Sequence, residues 1–348
     1  MKPAVSRSLR LGLTGLILVM LVLFARKVNW HDTWHTMQDA SLPVLLAAAA
    51  VNLVSIIVKG VRWWVFLRPV GARSLPLALR ATFAGAGLNN VLVANGGEAA
   101  RVVFVARAAH VPSARILATL ALERLFELVG YVVLLSLAAT FLELPHSLER
   151  VKPFAIAILV AMAALLVWLL RRPDVVENVA GPKPASWHGR LKEYGSRFVQ
   201  TIGQVSSGPR FLAALTLSVL AWALQVWTYH LTAQSAHLPM TLVGTIAALL
   251  AVNLGFALRA TPGNVGVFQA AYAATAAAFG LDYNKAVAVA FLIQAQQILP
   301  VTLLGIAMAP EFIFRKGQRR ASDVPGEIPS ASRGEAVPEA EQPALPPR

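Results

Sequence analysis

Residues 116–142 read ILATLALERLFELVGYVVLLSLAATFL, an apolar run of 27 residues that carries three charges, Glu123, Arg124 and Glu127. About 20 helical residues cross the ~30 Å hydrocarbon core of a bilayer, so this run is long enough to span it. A charge inside a span costs at least about 2.5 kcal/mol on insertion scales and usually faces a partner or a cavity. The run therefore predicts a transmembrane helix with a polar site on one face.

The rest of the chain has the composition of a protein covered by lipid. Its 348 residues are 57% hydrophobic and 14% charged, with a mean hydropathy of +0.61, whereas a soluble domain needs more polar surface. We predict an all-α polytopic membrane protein with about 7–9 membrane segments. The further spans are Leu11–Ala25, Pro43–Lys59, Pro153–Leu170, Phe211–Ala233, Thr241–Leu258 and Ala286–Ala309, and two less regular segments are Leu79–His110 and Thr261–Leu281.

The formal net charge of +14 comes mostly from Lys and Arg between the apolar runs. Basic loops stay on the cytoplasmic side and meet anionic lipid heads, so the loop 171–210 and both termini are predicted to be cytoplasmic. The first run has a basic start and no small-residue cleavage site, which indicates an uncleaved span. This pattern predicts a bacterial-type inner-membrane protein, and no nucleic-acid-binding motif accompanies the charge.

The domain organisation follows from the same patterns. Residues 1–314 are predicted to form the membrane domain, and the tail 315–348, rich in Pro, Glu, Ser and Ala, is predicted to be disordered. The pairs Trp63-Trp64 and Trp222/Trp227 are interpreted as interfacial anchors. No cofactor or metal is expected, because Cys is absent, no Walker-type loop is found, and His31 and His35 lack carboxylate companions.

An internal repeat relates residues 43–142 to residues 211–309 at an offset of about 170. In both stretches a long span precedes a Gly-rich break, a short Ala-rich helix and another long span. The charge of the flanking loops gives the two stretches opposite orientations, so we predict an inverted repeat with two re-entrant or broken-helix hairpins. The alternative is that Ala-rich helices punctuated by Gly align by chance.

Candidate substrate-binding residues gather at the two breaks and on the charged span. An arginine inside a membrane could hold a lipid phosphate through paired hydrogen bonds. The alternative is that these charges form ion pairs between helices or extend to the interface. The first group is Asn89, Asn90, Gly97, Glu98, Arg101, Glu123, Arg124 and Glu127, and the second group is Pro262, Gly263, Asn264, Gly266 and Gln269.

The order and spacing of these motifs resemble one known family. Arg62-Trp63-Trp64, Asn89-Asn90, Gly97-Glu98, Arg101, Glu123-Arg124 and the later Pro262-Gly263-Asn264-Val265-Gly266-Val267-Phe268-Gln269 are similar to the lysylphosphatidylglycerol synthase transmembrane (flippase-like) family. The resemblance implies a domain that binds and flips lipids. Two-part members add an aminoacyl-transferase domain that this sequence lacks, so lysyl transfer is not expected. Gln269 stands where an acid is common and Gln294 where an Arg is often found, so the second site is expected to carry less charge.

Three functions remain open at this stage. The first is a lipid translocase or lipid-binding transporter for a phospholipid or an isoprenoid-linked lipid, with anionic head groups as its ligands. The second is a non-catalytic membrane partner of an enzyme that makes glycolipids or other envelope lipids. The third is a membrane-embedded head-group transferase, for which only Glu98, Glu123 and Glu127 could act as acids or bases.

Overall fold

The computed structural model describes residues 22–91, 96–141, 208–256 and 264–308, together with residues 153, 157 and 160. Most of these residues are helical. The helices are α1 (Trp30–Gln38), α2 (Leu42–Leu67), α3 (Leu75–Val91), α4 (Gly96–Ala109), α5 (Ser113–Phe141), α6 (Gly208–Ser235), α7 (Leu242–Phe256), α8 (Val267–Ala278) and α9 (Tyr283–Met308). The all-helical prediction is confirmed for this part of the chain. Most of the predicted first span, most of the span 153–170 and the whole tail 315–348 lie outside the described residues.

Three of the described helices, α2, α6 and α9, are long and apolar enough to cross a membrane. Their sides carry exposed large apolar residues, among them Leu46, Val219 and Leu303, as expected of surfaces that face lipid. α6 begins at Gly208, so the last residues of the predicted loop 171–210 belong to a helix.

The second predicted span continues beyond its predicted end. We expected it to end at Lys59, but α2 runs on to Leu67. Residues 61–67 contain a single charge, at Arg62, and the following helix stop is Pro69, which has no backbone N–H to continue the helical hydrogen bonds. Lys59 and Arg62 therefore lie within α2 and not in a cytoplasmic loop.

Four shorter helices, α3, α4, α7 and α8, form two pairs. α3 ends at Val91 and α4 begins at Gly96, and the two pack against each other. α7 and α8 pack against each other in the same way. At 1.5 Å per residue the 14 residues of α4 and the 12 residues of α8 span only about 21 and 18 Å, which is less than the thickness of the hydrocarbon core.

Close contacts between backbones fix these pairs. A Cβ atom added to Gly97 would collide with the carbonyl oxygen of Gly85 and would lie 2.8 Å from the backbone nitrogen of Asn89. Gly85 also faces Arg101, so α3 and α4 run antiparallel. Elsewhere, Gly87 of α3 meets Gly305 of α9, where a Cβ on Gly87 would lie 3.1 Å from the Gly305 Cα.

Contacts between the long helices join the two halves of the chain. α2 packs along α6, with Ser55 bonded to the carbonyl of Ala221 at 3.4 Å and Arg62 bonded to Ser218 at 3.0 Å, so the two helices run antiparallel. α3 packs on α9, and α7 packs on α5. Buried apolar side chains form two clusters: one is built mainly from α2–α5, and the other mainly from α6–α9.

Candidate functional site

The centre of the charged site is Arg62, whose side chain is 0% exposed. Its guanidinium donates to Glu127 Oε1 at 2.7 Å and to Ser218 Oγ at 3.0 Å. A carboxylate oxygen of Glu123 lies 3.8 Å from the same guanidinium. α2 thus places one arginine between two carboxylates of α5 and a hydroxyl of α6.

Arg101 forms a second buried contact between α4 and α5. It is ion-paired with Glu123, and its guanidinium lies over the ring of Trp63, 4.1 Å from the centroid. The indole of Trp63 donates to Thr119 Oγ1 at 3.1 Å. The interfacial-anchor interpretation is therefore wrong for Trp63, which is fully buried as the platform for Arg101, an arrangement in which cation–π attraction is strengthened by the loss of water.

Arg124 forms the outer part of the site. It is ion-paired with Glu98 in the first turn of α4, and its guanidinium lies 3.7 Å from Glu127. The Arg124 side chain is 53% exposed, against 17% for Glu98. Lys59, whose side chain is 25% exposed, lies 4.0 Å from Glu127 on the α2 side. The ion pairs thus join three helices into one network.

The members of this network differ in how much they stabilise the fold. Removing one partner of a buried ion pair leaves an uncompensated charge and costs about 3–5 kcal/mol, which applies to Arg62, Arg101 and Glu123. Arg124 is 53% exposed at the surface of the described helices, and an ion pair that contacts water contributes only about 0–1 kcal/mol. The buried pairs hold the helices in place, whereas the outer pair can be separated at little cost.

Among the residues that the structure describes, the charges of the network do not cancel. Lys59, Arg62, Arg101 and Arg124 supply four positive charges, and Glu98, Glu123 and Glu127 supply three negative ones. The network therefore has one positive charge in excess, and its most exposed arginine is Arg124. Chemically, this arrangement can accept one anionic group without breaking the buried pairs.

Asn89 and Asn90, both predicted site residues, lie at the end of α3. The side chain of Asn89 accepts a hydrogen bond from the Gly97 backbone nitrogen at 2.9 Å, which satisfies a free N–H at the start of α4. Asn90 donates to Thr302 Oγ1 of α9 at 3.0 Å. These two residues therefore tie the α3–α4 pair together and attach it to α9.

The second predicted group lies on a different helix pair, α8 and α9. Gln269 is 0% exposed, accepts from the Gly266 backbone nitrogen at 2.6 Å, and donates to Gln294 of α9 at 2.6 Å. Asn264 is buried in a left-handed conformation (φ 55°), and its side-chain oxygen has no hydrogen-bond partner among the described residues. Pro262 and Gly263 lie outside the described residues.

The structure brings Glu98, Arg101, Glu123, Arg124 and Glu127 together, and it adds residues that the prediction omitted. Lys59, Arg62 and Ser218 take part in the network, with Trp63 and Thr119 beneath it. Lys59 and Arg62 could have been included from the sequence. They are about one helical turn apart, and the helix that carries them has no stop before Pro69, so both belong to the span. Ser218 had no signal, because its contact with Arg62 joins residues 156 positions apart.

The described part of the chain has no group of three or more His, Cys, Asp or Glu residues that could hold a metal ion. The carboxylates of Glu98, Glu123 and Glu127 are instead directed at arginines. The site is therefore one of guanidinium–carboxylate pairs on a membrane protein.

Comparison with known proteins agrees with this description. The chain is 22% identical over 313 residues, 84% of its length, to the "UPF0104 membrane protein PH1989" of Pyrococcus horikoshii, of which it covers 93%. It is also 31% identical over 147 residues, 40% of its length, to the "Glycosyltransferase AglD" of Haloferax volcanii, of which it covers 23%. The family model described as "Lysylphosphatidylglycerol synthase TM region" matches residues 8–305. The resemblance seen in the sequence motifs is thereby confirmed, and the chain belongs to the family of membrane proteins that share the lysylphosphatidylglycerol synthase transmembrane region.

Proposed function

We propose that this protein is a lipid translocase, or a lipid-binding transporter, of the inner membrane, and that it is not an enzyme. Its ligand is the anionic head group of a phospholipid or of an isoprenoid-linked lipid, and both termini are cytoplasmic. The observation that carries the proposal is a half-exposed arginine, Arg124, attached to a buried network with one positive charge in excess.

The position of Arg124 along its helix supports a polar cavity inside the membrane. Arg124 lies about 16 Å along α5 from Ser113, and the α5 start carries Arg115 in a basic region that we place at the cytoplasmic surface. That distance is about half the thickness of the hydrocarbon core. An exposed guanidinium at this depth is stable only beside water, a counter-ion or a lipid head group.

The helix contacts support two oppositely oriented halves. The first helices of the halves, α2 and α6, pack antiparallel. The second helix of each half packs on the fourth helix of the other, α3 on α9 and α7 on α5. A two-fold axis in the membrane plane would generate this reciprocal scheme, so an inverted repeat, with the α3–α4 and α7–α8 pairs as re-entrant hairpins, is part of the proposal. The hairpins are shorter than the hydrocarbon core, and their ends would provide the wet interface.

Transport can be measured in proteoliposomes that contain the purified protein and a fluorescent phosphatidylglycerol. We expect the protein to move this lipid between leaflets, as judged by chemical quenching of the outer leaflet. Arg124→Gln is expected to reduce the rate at least about tenfold, because loss of a charge-assisted contact of ~1.4 kcal/mol or more changes a rate by that factor. Arg115→Gln on the same helix is the matched control and should retain transport.

Two results would contradict the proposal. The first is a combined result: lipid moves no faster than in protein-free liposomes, and native mass spectrometry finds no lipid retained by the protein. The other is full transport by a folded Arg124→Gln variant.

A second candidate function is that of a membrane partner for a glycolipid synthase. It is favoured by the match to part of a relative whose name is that of a glycosyltransferase. Under this hypothesis the protein would co-purify with a glycosyltransferase and would move no lipid by itself. Affinity purification from the native membrane, followed by identification of the bound proteins, would separate the two functions.

A further inference from the structure

We propose that the carboxylate of Glu98 occupies the anion site of Arg124 as a stand-in for substrate, and that a monoanionic lipid phosphodiester binds by displacing it. This inference rests on the proposed function, because it identifies the substrate class of the same site. It also assigns Glu98 a role of its own: an internal competitor that sets how tightly the head group is held.

The first argument is the difference in exposure among the arginines that hold the carboxylates: Arg62 and Arg101 are buried, whereas the side chain of Arg124 is 53% exposed. Glu123 is 6% exposed and is held by Arg101 and Arg62. Glu127 is held by Arg62 at 2.7 Å, with Lys59 at 4.0 Å. Glu98 is ion-paired with Arg124, whose side chain is half exposed. An incoming anion can therefore reach Arg124 and exchange with Glu98 without disturbing Arg62 or Arg101.

The second argument is that Glu98 remains stabilised after it is displaced. It lies in the first turn of α4, where the free N–H groups and the helix dipole favour a negative charge. The neighbouring N–H of Gly97 is already occupied by Asn89 at 2.9 Å, so the start of α4 stays in place when the carboxylate leaves Arg124. Phosphate and carboxylate both accept two parallel hydrogen bonds from a guanidinium, so one can replace the other on Arg124.

The third argument is charge. The described part of the network has four cations and three carboxylates, so one added negative charge makes this set neutral. A phosphodiester carries one negative charge, whereas a zwitterionic head group adds none in sum. A neutral assembly is the form most easily sheltered from water inside a membrane, and this favours lipids with a single net negative charge.

The test is a binding titration of the purified full-length protein with short-chain phosphatidylglycerol. Glu98→Gln removes the competing charge and is expected to raise the affinity about tenfold, which corresponds to ~1.4 kcal/mol. Arg124→Gln is expected to lower the affinity at least about tenfold. Asp39→Asn, an exposed acid after α1, changes the net charge equally and is expected to leave the affinity unchanged.

A second variant guards against misfolding of the first. Glu98→Asp keeps the charge but shortens the side chain, so its pairing with Arg124 is weaker and its affinity for the lipid should lie between those of the native protein and Glu98→Gln. Dimethyl phosphate, a soluble phosphodiester, is titrated in parallel: competition with the lipid indicates that the phosphate itself is recognised, and tighter binding of the lipid identifies a lipid and not a free phosphate as the ligand.

An unchanged or lower affinity in both folded Glu98 variants would overturn the inference. Binding of dimethyl phosphate as tight as that of the lipid would overturn the lipid assignment. If Glu98→Gln binds more tightly but the native protein moves no lipid in liposomes, the stand-in role holds and the transport proposal fails. If the native protein moves lipid while neither Glu98 variant binds more tightly, the transport proposal holds and the stand-in role fails.

Discussion

The two short helices α4 and α8 are attached to the long helix that follows each of them by different chemistry. α4 is joined to α5 by two ion pairs, Arg101–Glu123 and Arg124–Glu98. α8 is joined to α9 by a hydrogen bond between two amides, Gln269 and Gln294, which are 0% and 5% exposed. Neutral amides can be fully buried when they bond to each other, whereas charges need stronger compensation or contact with a polar phase.

This difference indicates that the two contacts have different roles. The amide contact is closed and has the properties of a structural joint. The charged contact has a buried part, which resembles a structural joint, and an open part at Arg124. The following predictions test that difference in role, beginning with the largest effect.

Replacing Arg62 with Ala should produce the largest loss of stability. It would leave Glu123 and Glu127 without their shared arginine in a site where Arg62 is fully buried, at about 3–5 kcal/mol. The measurement is thermal denaturation of the detergent-purified protein, followed by tryptophan fluorescence. Arg68→Ala, an exposed arginine that stacks on Trp64 just after the same helix, is the control and should melt close to the native protein. Equal melting of the two variants would contradict a structural role for the buried pairs.

Replacing Gly97 of the charged half with Ala should lower the stability of the protein more than replacing Gly255 of the amide half with Ala. A Cβ at Gly97 collides with the backbone of α3, whereas one at Gly255 meets, among the described residues, side-chain carbons of Val267 at 3.2 Å and of Ala271 at 3.9 Å. Overpacking against backbone costs about 1–3 kcal/mol, and Gly255→Ala should cost less because the side chain can shift. Comparing the melting temperatures of Gly97→Ala and Gly255→Ala measures this, and a larger loss for Gly255→Ala would contradict the packing described above.

Introducing charge into the amide half should be tolerated only as a pair. Gln294→Arg alone places an unpaired cation at a buried position, whereas Gln269→Glu with Gln294→Arg provides its partner at hydrogen-bond distance. Neighbouring residues of this kind couple by about 0.5–3 kcal/mol. The coupling energy is obtained from the unfolding of both single variants and the double variant, and a value of zero would indicate that the two positions separate when they are charged.

Neutralising the open pair should have the smallest effect on stability. The double variant Glu98→Gln/Arg124→Gln is expected to change the free energy of unfolding by about 1 kcal/mol or less, as for exposed ion pairs. Arg101→Ala, in the buried pair on the same helices, should lose several times more. Chemical denaturation in mild detergent would compare the two, and a loss in the double variant as large as that of Arg62→Ala would remove the distinction between the open and the buried pairs.

Much of the charged site could be predicted from the sequence, because each of its acids breaks a long apolar run. Glu98, Glu123 and Glu127 are conspicuous in segments that must be apolar, and the structure brings them together with Arg101 and Arg124. Asn264 and Gln269 were conspicuous for the same reason. Their placement in a separate, closed cluster could not be predicted, because a polar residue in a span does not reveal which neighbour satisfies it.

The sequence by itself determined that this is a helical membrane protein, approximately where its helices begin and end, and to which family it belongs. These properties follow from local composition, since length and hydropathy alone decide what can cross a bilayer. Only the tertiary structure decided that Arg62 and Trp63 lie inside the site, that Ser218 completes it, and that Arg124 remains accessible while Arg101 is buried. Those facts depend on how helices distant in the chain pack together, and side-chain burial is a property of that packing and not of any single segment.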